Sequence, residues 1–140
     1  MSTILVDNLT GKTSAGSITV TSEGGAATQS LQQGLAKAWS IFDQVNSNAI
    51  DDSLNISTIT DRGTGSMYGN YTNSMSSVNY TVMGASSPEP SGSMTSTNSN
   101  RSTISSADTA SRYSMNVYTD DTLAKQDEEN QQALVHGDLA

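Results

Sequence analysis

The residues that could carry out acid–base or nucleophilic chemistry are few and scattered along this 140-residue chain. The only histidine, His136, lies near the C-terminus, whereas a catalytic triad needs a histidine beside both a nucleophile and a carboxylate. Neighbouring carboxylates occur at Asp51–Asp52, Asp120–Asp121 and Glu128–Glu129. Adjacent residues of a strand point to opposite faces, so these pairs do not converge as glycosidase chemistry requires. We therefore expect no catalytic residues and no enzymatic activity.

The sequence predicts neither a metal site nor a cofactor site. It has no cysteine, which excludes disulfides and thiolate ligands. The spacing of Asp61, Asp120 and Asp121 does not match a calcium-binding loop. The run Gly11-Lys12-Thr13 resembles the end of a phosphate-binding loop, but the upstream glycine and the strand-to-helix context are missing.

The five tyrosines are the side chains best suited to binding a surface. Exposed aromatic rings can stack on the faces of sugars, while the abundant Ser, Thr and Asn side chains can hydrogen-bond sugar hydroxyls. We predict that Tyr68, Tyr71 and Tyr113 contact a receptor in this way. Tyr80 and Tyr118 are predicted to be core residues whose hydroxyl groups lie at its rim.

Composition limits the partners. Six Lys and Arg residues against fourteen Asp and Glu residues give a net charge of −8, so the chain should repel nucleic acid and anionic lipid. No apolar run is long enough to span a bilayer, and the N-terminus lacks the basic and apolar regions of a signal peptide. We expect a soluble protein that is made in a cytoplasm.

Only 34% of the residues are hydrophobic, so a single copy would have a thin core. The stretch Ala36–Asp43 contains the only Trp and the only Phe, and we expect both Trp39 and Phe42 at the centre of that core. Burial of strand faces between copies would supply the stability that one chain lacks, which predicts self-association.

Residues 1–27 are predicted to form an extended arm without a core of its own, which contact with neighbours would order. A disordered terminus is the alternative. Within the arm, Ile18 and Val20 alternate with Ser and Thr as in a short strand that ends at Gly24–Gly25. The apolar side chains expected to attach the arm to another protein are Ile4, Leu5, Val6, Leu9, Ile18 and Val20.

Residues 28–35 are predicted to be a short helical linker, with Thr28 as a possible N-cap and Gly34 as its stop. Leu31, Leu35, Ala38 and Phe42 also have helical spacing, so one helix over 28–42 is a real alternative. We favour a break at Gly34 because β-propensity rises after it.

Residues 36–140 are predicted to form a β-sandwich, because short alternating segments are separated by frequent turn residues. The hairpin turn at Asp61–Gly65 is the clearest of these turns. A loop is predicted over 86–100 and an exposed acidic segment over 120–130. Strands are predicted at 36–43, 54–60, 66–72, 78–84, 101–105, 113–118 and 131–137. The predicted fold class is therefore mainly β: an antiparallel, jelly-roll-like sandwich with an extended arm and a short helix.

Four segments resemble small structural proteins of tailed phages, particularly marine and cyanobacterial ones. They are Leu31–Trp39 (LQQGLAKAW), Ser53–Gly65 (SLNISTITDRGTG), Met75–Val82 (MSSVNYTV) and His136–Ala140 (HGDLA). The resemblance covers about two thirds of the chain. It comprises a Trp strand, an Asp-x-Gly-x-Gly hairpin, an Asn-Tyr strand and a terminal Gly-Asp-Leu-Ala.

The resemblance implies a virion protein that is assembled in the host cytoplasm. We expect a homotrimeric tail fibre or fibre-like appendage, attached to other virion proteins by its arm and touching a host glycan or protein through its β-domain. The alternative is a capsid decoration, cement or head-fibre protein that stabilises the shell. Copy number per particle separates the two.

Overall fold

The computed structural model describes residues 5–14, 17–87, 101–119 and 124–140. It is mainly β, with 53% strand and 4% helix. The chain divides into two compact units, Met1–Leu35 (the first unit) and Ala36–Ala140 (the second unit). No helix among the described residues is both long enough and apolar enough to cross a membrane.

The first unit contains a small hairpin followed by one helical turn. Strands β1 (Thr19–Thr21) and β2 (Thr28–Ser30) pair antiparallel, and helix α1 spans Leu31–Gly34. The Ser30 hydroxyl accepts a hydrogen bond from the backbone N–H of Gln33 and so caps the helix. The helix therefore starts later than Thr28, because residues 28–30 pair with β1 instead.

A strand, and not a continuation of the helix, follows Gly34. Leu35 has an extended backbone, and β3 begins at Ala38. Along β3 the residues Ala38, Ser40 and Phe42 are buried while those between them are half-buried, which is the period of two expected of a strand. The predicted break at Gly34 is confirmed, and the single helix over 28–42 is excluded.

The second unit is built from two four-stranded antiparallel sheets. Sheet I has the order β4-β3-β10-β7, and sheet II has the order β5-β6-β9-β8. The architecture agrees with the predicted antiparallel β-sandwich. The strands are β3 (Ala38–Asp43), β4 (Ala49–Leu54), β5 (Ile56–Asp61), β6 (Ser66–Tyr71), β7 (Thr81–Ser87), β8 (Arg101–Thr109), β9 (Arg112–Thr119) and β10 (Asn130–His136).

Asn55 forms the corner at which the chain passes from sheet I to sheet II. Its backbone is left-handed, with φ of 58°, a conformation that Asn tolerates better than most residues. Its side-chain amide donates to the carbonyl oxygens of Lys37 and Asn73, and its side-chain oxygen accepts the Asn73 N–H at 2.7 Å. The predicted strand over 54–60 is therefore two strands that meet at Asn55.

The core lies between the sheets and is rich in tyrosine and methionine. Its largest fully buried side chains include Phe42 of β3, Met67 of β6, and Tyr113 and Met115 of β9. Two sheets are tied across this core by a 2.9 Å hydrogen bond between the hydroxyls of Tyr113 and Ser40. Burial raises the pKa of Tyr113 to about 12, although the hydrogen bond with Ser40 opposes the shift.

Gly69 makes room for the ring of Tyr113. The two residues are cross-strand partners of β6 and β9, and a Cβ built on Gly69 would lie 2.0 Å from Cε1 of Tyr113. Tyr71 contacts the same ring at a centroid distance of 6.1 Å and packs edge-on against Tyr80 at 5.7 Å. Three tyrosines therefore form one connected aromatic cluster inside the sandwich.

Two structural expectations are wrong in detail. The segment 78–84 does not begin as a strand: β7 starts at Thr81, and Val78 is 54% exposed. Trp39 is not at the centre of the core, because it alternates with Ser40 and so faces away from sheet II. The predicted loop over 86–100 begins inside β7, which ends at Ser87, and the acidic segment over 120–130 that was predicted to be exposed contains buried Glu128. The rest of these two predictions, over 88–100 and 120–123, lies outside the described residues.

Candidate functional site

A row of apolar side chains crosses the outer face of sheet I. Leu54 pairs with Trp39, Trp39 with Leu134, and Leu134 with Met83, so one residue from each of the four strands lies in register. Leu54, Leu134 and Met83 are 47%, 37% and 64% exposed, and Trp39 is half-buried. These four residues are called the apolar row.

A shallow groove of 390 Å³ runs beside the apolar row. Ile41, Gln132 and Ala85 form the next row across β3, β10 and β7, and they line the groove together with Trp39 and Met83. Because side chains alternate along a strand, the same β3 that buries Phe42 must present Trp39 and Ile41 on the opposite face. The outer face of sheet I is thus apolar along the apolar row, and the next row brings the polar side chains of Gln132 and, opposite Ile41 on β4, Asp52.

The outer face of sheet II is polar and carries two arginines around one tyrosine. The guanidinium carbon of Arg62 lies 4.4 Å from the ring centroid of Tyr68, and that of Arg112 lies 3.9 Å from it. Arg112 also donates from Nε to a carboxylate oxygen of Asp108 at 2.5 Å. Close cation–π contacts of this kind restrict the orientation of the guanidinium groups.

Lys125 adds a third cation to this face. Its ammonium group donates to the side-chain oxygen of Asn116 at 3.0 Å and lies 5.9 Å from the ring of Tyr118. Asn116 also accepts a hydrogen bond from the hydroxyl of Ser66. We call the outer surface of sheet II around Tyr68, with Arg62, Arg112 and Lys125, the arginine face.

The structure separates the three tyrosines that the sequence grouped as receptor contacts. Tyr71 and Tyr113 are buried, with exposures of 7% and 0%, so the expectation that they are surface residues is wrong. They face inward because side chains alternate along a strand: Tyr71 is four residues from buried Met67 on β6, and Tyr113 is two residues from buried Met115 on β9. Only Tyr68 is on an outer face, where it is half-buried against the two arginines.

Tyr80 lies in the core as predicted, with its hydroxyl at the rim. The hydroxyl is within hydrogen-bond distance of the carbonyl oxygens of Thr109 and Arg112 and accepts the N–H of Asp108 at 3.2 Å. It thereby holds the β8–β9 turn. Tyr118 is half-buried beside Lys125 on the arginine face and is not part of the core.

Most of the side chains predicted to attach the arm are exposed in the first unit. Leu5 is 90% exposed, and Val6, Leu9 and Val20 are 59%, 61% and 52% exposed. Ile18 is half-buried, and Ile4 lies outside the described residues. Their role in attachment stays a prediction.

The candidate chemical groups are not brought together within the described ranges. No group of three or more His, Asp or Glu side chains there could hold a metal ion. His136 is half-buried at the end of β10, where it pairs with Thr81. Glu128 is buried and Glu129 is half-buried, whereas Asp120 and Asp121 lie outside the described residues.

Sequence reasoning missed both outer faces for different reasons. The alternation of Trp39 and Ile41 with Ala38 and Phe42 is the available signal that β3 has two apolar faces. Arg62 and Arg112 are fifty positions apart, and only the pairing of β6 with both β5 and β9 brings them to Tyr68. No local pattern could have revealed the second arrangement.

Comparisons with protein-family models, with curated proteins and with solved structures find no match for this chain. The second unit is a two-sheet antiparallel β-structure in which one outer face carries an apolar row and the other carries two arginines stacked on a tyrosine.

Proposed function

We propose that this chain is a non-enzymatic structural protein of a virus particle, which assembles with copies of itself into a fibre-like appendage and contacts a host surface. The observation that carries the self-assembly is the apolar row, a set of four in-register apolar side chains on the outside of a mostly polar protein. The viral setting comes from the resemblance to tail-fibre-like proteins of tailed phages.

The apolar row has the right size for the centre of an interface. Neighbouring strands lie about 4.8 Å apart, so four strands carry the row over about 14 Å. In the adjacent row Ile41 and Ala85 extend the apolar area, while Asp52 and Gln132 would belong to the polar rim. A stable interface buries about 800 Å² on each partner, with an apolar centre and a polar rim. Trp39 is the natural anchor, since aromatic side chains contribute disproportionately to such interfaces.

A second copy is the occupant that this surface favours. The apolar row contains no charged side chain, and its partner surface must therefore be apolar as well. The same row on other copies, converging on a threefold axis, meets that requirement without any further protein. We propose three copies, as in the homotrimeric appendages that the resemblance implies, and the jelly-roll-like arrangement within each copy stays a prediction.

The first unit would provide attachment to other virion proteins. It presents exposed apolar side chains, Leu5 and Leu9 among them, in a segment with very little burial of its own. Such side chains gain about 25 cal/mol for each Å² of apolar surface that a partner covers.

Sedimentation velocity tests the self-assembly. The molecular mass of the unmodified protein from sedimentation should be three times the 14.6 kDa of one chain. Met83→Glu places a charge on the most exposed position of the apolar row and should yield monomers. The matched control is Val78→Glu, because Val78 is 54% exposed but lies outside the row. A monomeric unmodified protein, or equal effects of the two substitutions, would refute the proposed interface.

Quantitative mass spectrometry of purified particles tests the viral role. A few dozen copies or fewer per particle would support an appendage of the tail. Hundreds of copies would instead identify a capsid decoration or cement protein, and absence from particles would refute the proposal altogether.

A further inference from the structure

The cations of this acidic chain are unevenly distributed. The sequence has only six Lys and Arg residues, and three of them, Arg62, Arg112 and Lys125, lie on the arginine face. Asp108 is the carboxylate that pairs with one of them, Arg112. Asp61 next to Arg62 and Asp127 near Lys125 balance part of this charge, so an anion would be drawn to the two guanidinium groups themselves and not to a broad positive field.

The two arginines are held in place before any ligand arrives. Arg62 reaches Tyr68 from the β5 side and Arg112 reaches it from the β9 side, since β6 lies between these strands. Among the described residues Arg62 has no carboxylate partner, so its N–H groups are available to an external acceptor. Preorganised guanidinium groups lose little side-chain entropy on binding, and their planar forks suit carboxylate and sulfate oxygens.

The surroundings of the arginines favour a hydroxyl-rich ligand. Asn70 donates to the hydroxyl oxygens of Thr58 at 3.0 Å and Thr60 at 2.8 Å, which fixes a flat array of short polar side chains next to Tyr68. Ser114 lies opposite Tyr68 on β9. Hydroxyl and amide groups of this kind exchange hydrogen bonds readily with sugars, whereas the net charge of the chain disfavours the dense phosphates of nucleic acid.

We propose that the arginine face binds an acidic polysaccharide, with Arg62 and Arg112 contacting its carboxylate or sulfate groups. Tyr68 acts as a positioning residue that supports both guanidinium groups. This assigns a ligand class to the host contact of the proposed function and rests on it. Self-assembly is measured separately by sedimentation. A failure to bind polysaccharide would therefore leave the proposed self-assembly standing, and a failure to assemble would leave polysaccharide binding standing.

Affinity electrophoresis through gels that contain a polysaccharide tests the proposal. Dextran sulfate and polygalacturonate should retard the protein, neutral dextran should not, and the comparison of the two acidic polymers distinguishes sulfate from carboxylate recognition. Retardation should weaken as salt is added, because the contacts are ionic. Retardation by polyglutamate equal to that by both polysaccharides would overturn the proposal in favour of an acidic protein ligand.

Charge-matched variants localise the site. Arg62→Gln and Arg112→Gln should each weaken binding about tenfold or more, the loss expected when a charge-assisted hydrogen bond is removed. Lys12→Gln makes the same change of net charge in the first unit and should leave binding unaltered. Arg62→Lys should bind more weakly than the unmodified protein and more tightly than Arg62→Gln, because it keeps the charge and loses the planar guanidinium group.

Several outcomes would overturn this inference. They are no binding of either acidic polymer, equal weakening by Lys12→Gln, or full binding by Arg62→Gln. Circular dichroism of each variant establishes that the sandwich is intact, and substitutions of these outward-facing residues should not alter it.

Discussion

Gly69→Ala should destabilise the second unit by about 3 kcal/mol, because the added Cβ would overlap the buried ring of Tyr113. The Cβ would lie 2.0 Å from Cε1, whereas ordinary contacts begin at 3.4 Å. The ring would have to move by about 1.4 Å to reach an ordinary van der Waals separation. Tyr113 is fully buried, so the neighbouring core side chains would have to move as well.

Two costs combine when the Cβ is added. Overpacking a filled core costs about 1–3 kcal/mol. Moving the ring also breaks the 2.9 Å hydrogen bond to Ser40, and leaving buried hydroxyls unpaired costs about 1–3 kcal/mol more. Replacing glycine with alanine returns less than about 1 kcal/mol through the entropy of the unfolded chain. The net loss is a large part of the 5–15 kcal/mol that stabilises a typical domain.

Urea denaturation followed by the fluorescence of Trp39 measures the effect, since Trp39 is the only tryptophan. Circular dichroism must give the same midpoint for the two-state free energy to apply, and all variants are compared at one protein concentration because assembly shifts the midpoint. The double variant Gly69→Ala with Tyr113→Leu is the control, because removal of the ring removes the overlap. The free energies of unfolding lost by Gly69→Ala alone and by Tyr113→Leu alone should therefore sum to far more than the loss in the double variant. A loss below about 0.5 kcal/mol for Gly69→Ala, or additive changes, would refute the packing argument.

Two further predictions concern pH and the corner residue. The pKa of Tyr113 is about 12 in the folded protein and near 10.0 in the unfolded chain. Tyr113 therefore contributes its full stabilisation below pH 10, and about 3 kcal/mol of the free energy of unfolding is lost as the pH rises towards 12. Denaturation at pH 9 and pH 11.5 should show this loss, and Tyr113→Phe should reduce it; part of the loss should remain, because burial also raises the pKa of Tyr71. An unchanged slope in Tyr113→Phe would contradict the assignment. Asn55→Ala should cost about 3 kcal/mol through lost hydrogen bonds and strain at φ of 58°, and Asn55→Gly about 1 kcal/mol less because glycine adopts that φ freely. Thermal unfolding compares the pair, and equal midpoints would show that the left-handed backbone contributes nothing.

Local patterns in the sequence were sufficient to predict the β class and much of the strand content. The turn at Gly63 and Gly65 was predictable because glycine accepts a positive φ that few other residues adopt. Both glycines have a positive φ in the structure. The break at Gly34 followed from the change in propensity after it. By contrast, the first residue of β7 was misplaced: Val78, Tyr80 and Val82 alternate as a strand would, but the chain is still crossing between sheets until Thr81.

The sequence by itself determined that this protein is an antiparallel β-structure with few apolar side chains, because strand period and turn chemistry act over only a few residues. Only the tertiary structure decided which tyrosines are inside and which cations meet. Burial of Tyr113 depends on a glycine on the neighbouring strand, and the arginine face depends on β6 lying between β5 and β9. Sheet pairing joins residues that are distant along the chain, so the position of Trp39 outside the core and the stacking of Arg62 and Arg112 on Tyr68 are consequences of strand register.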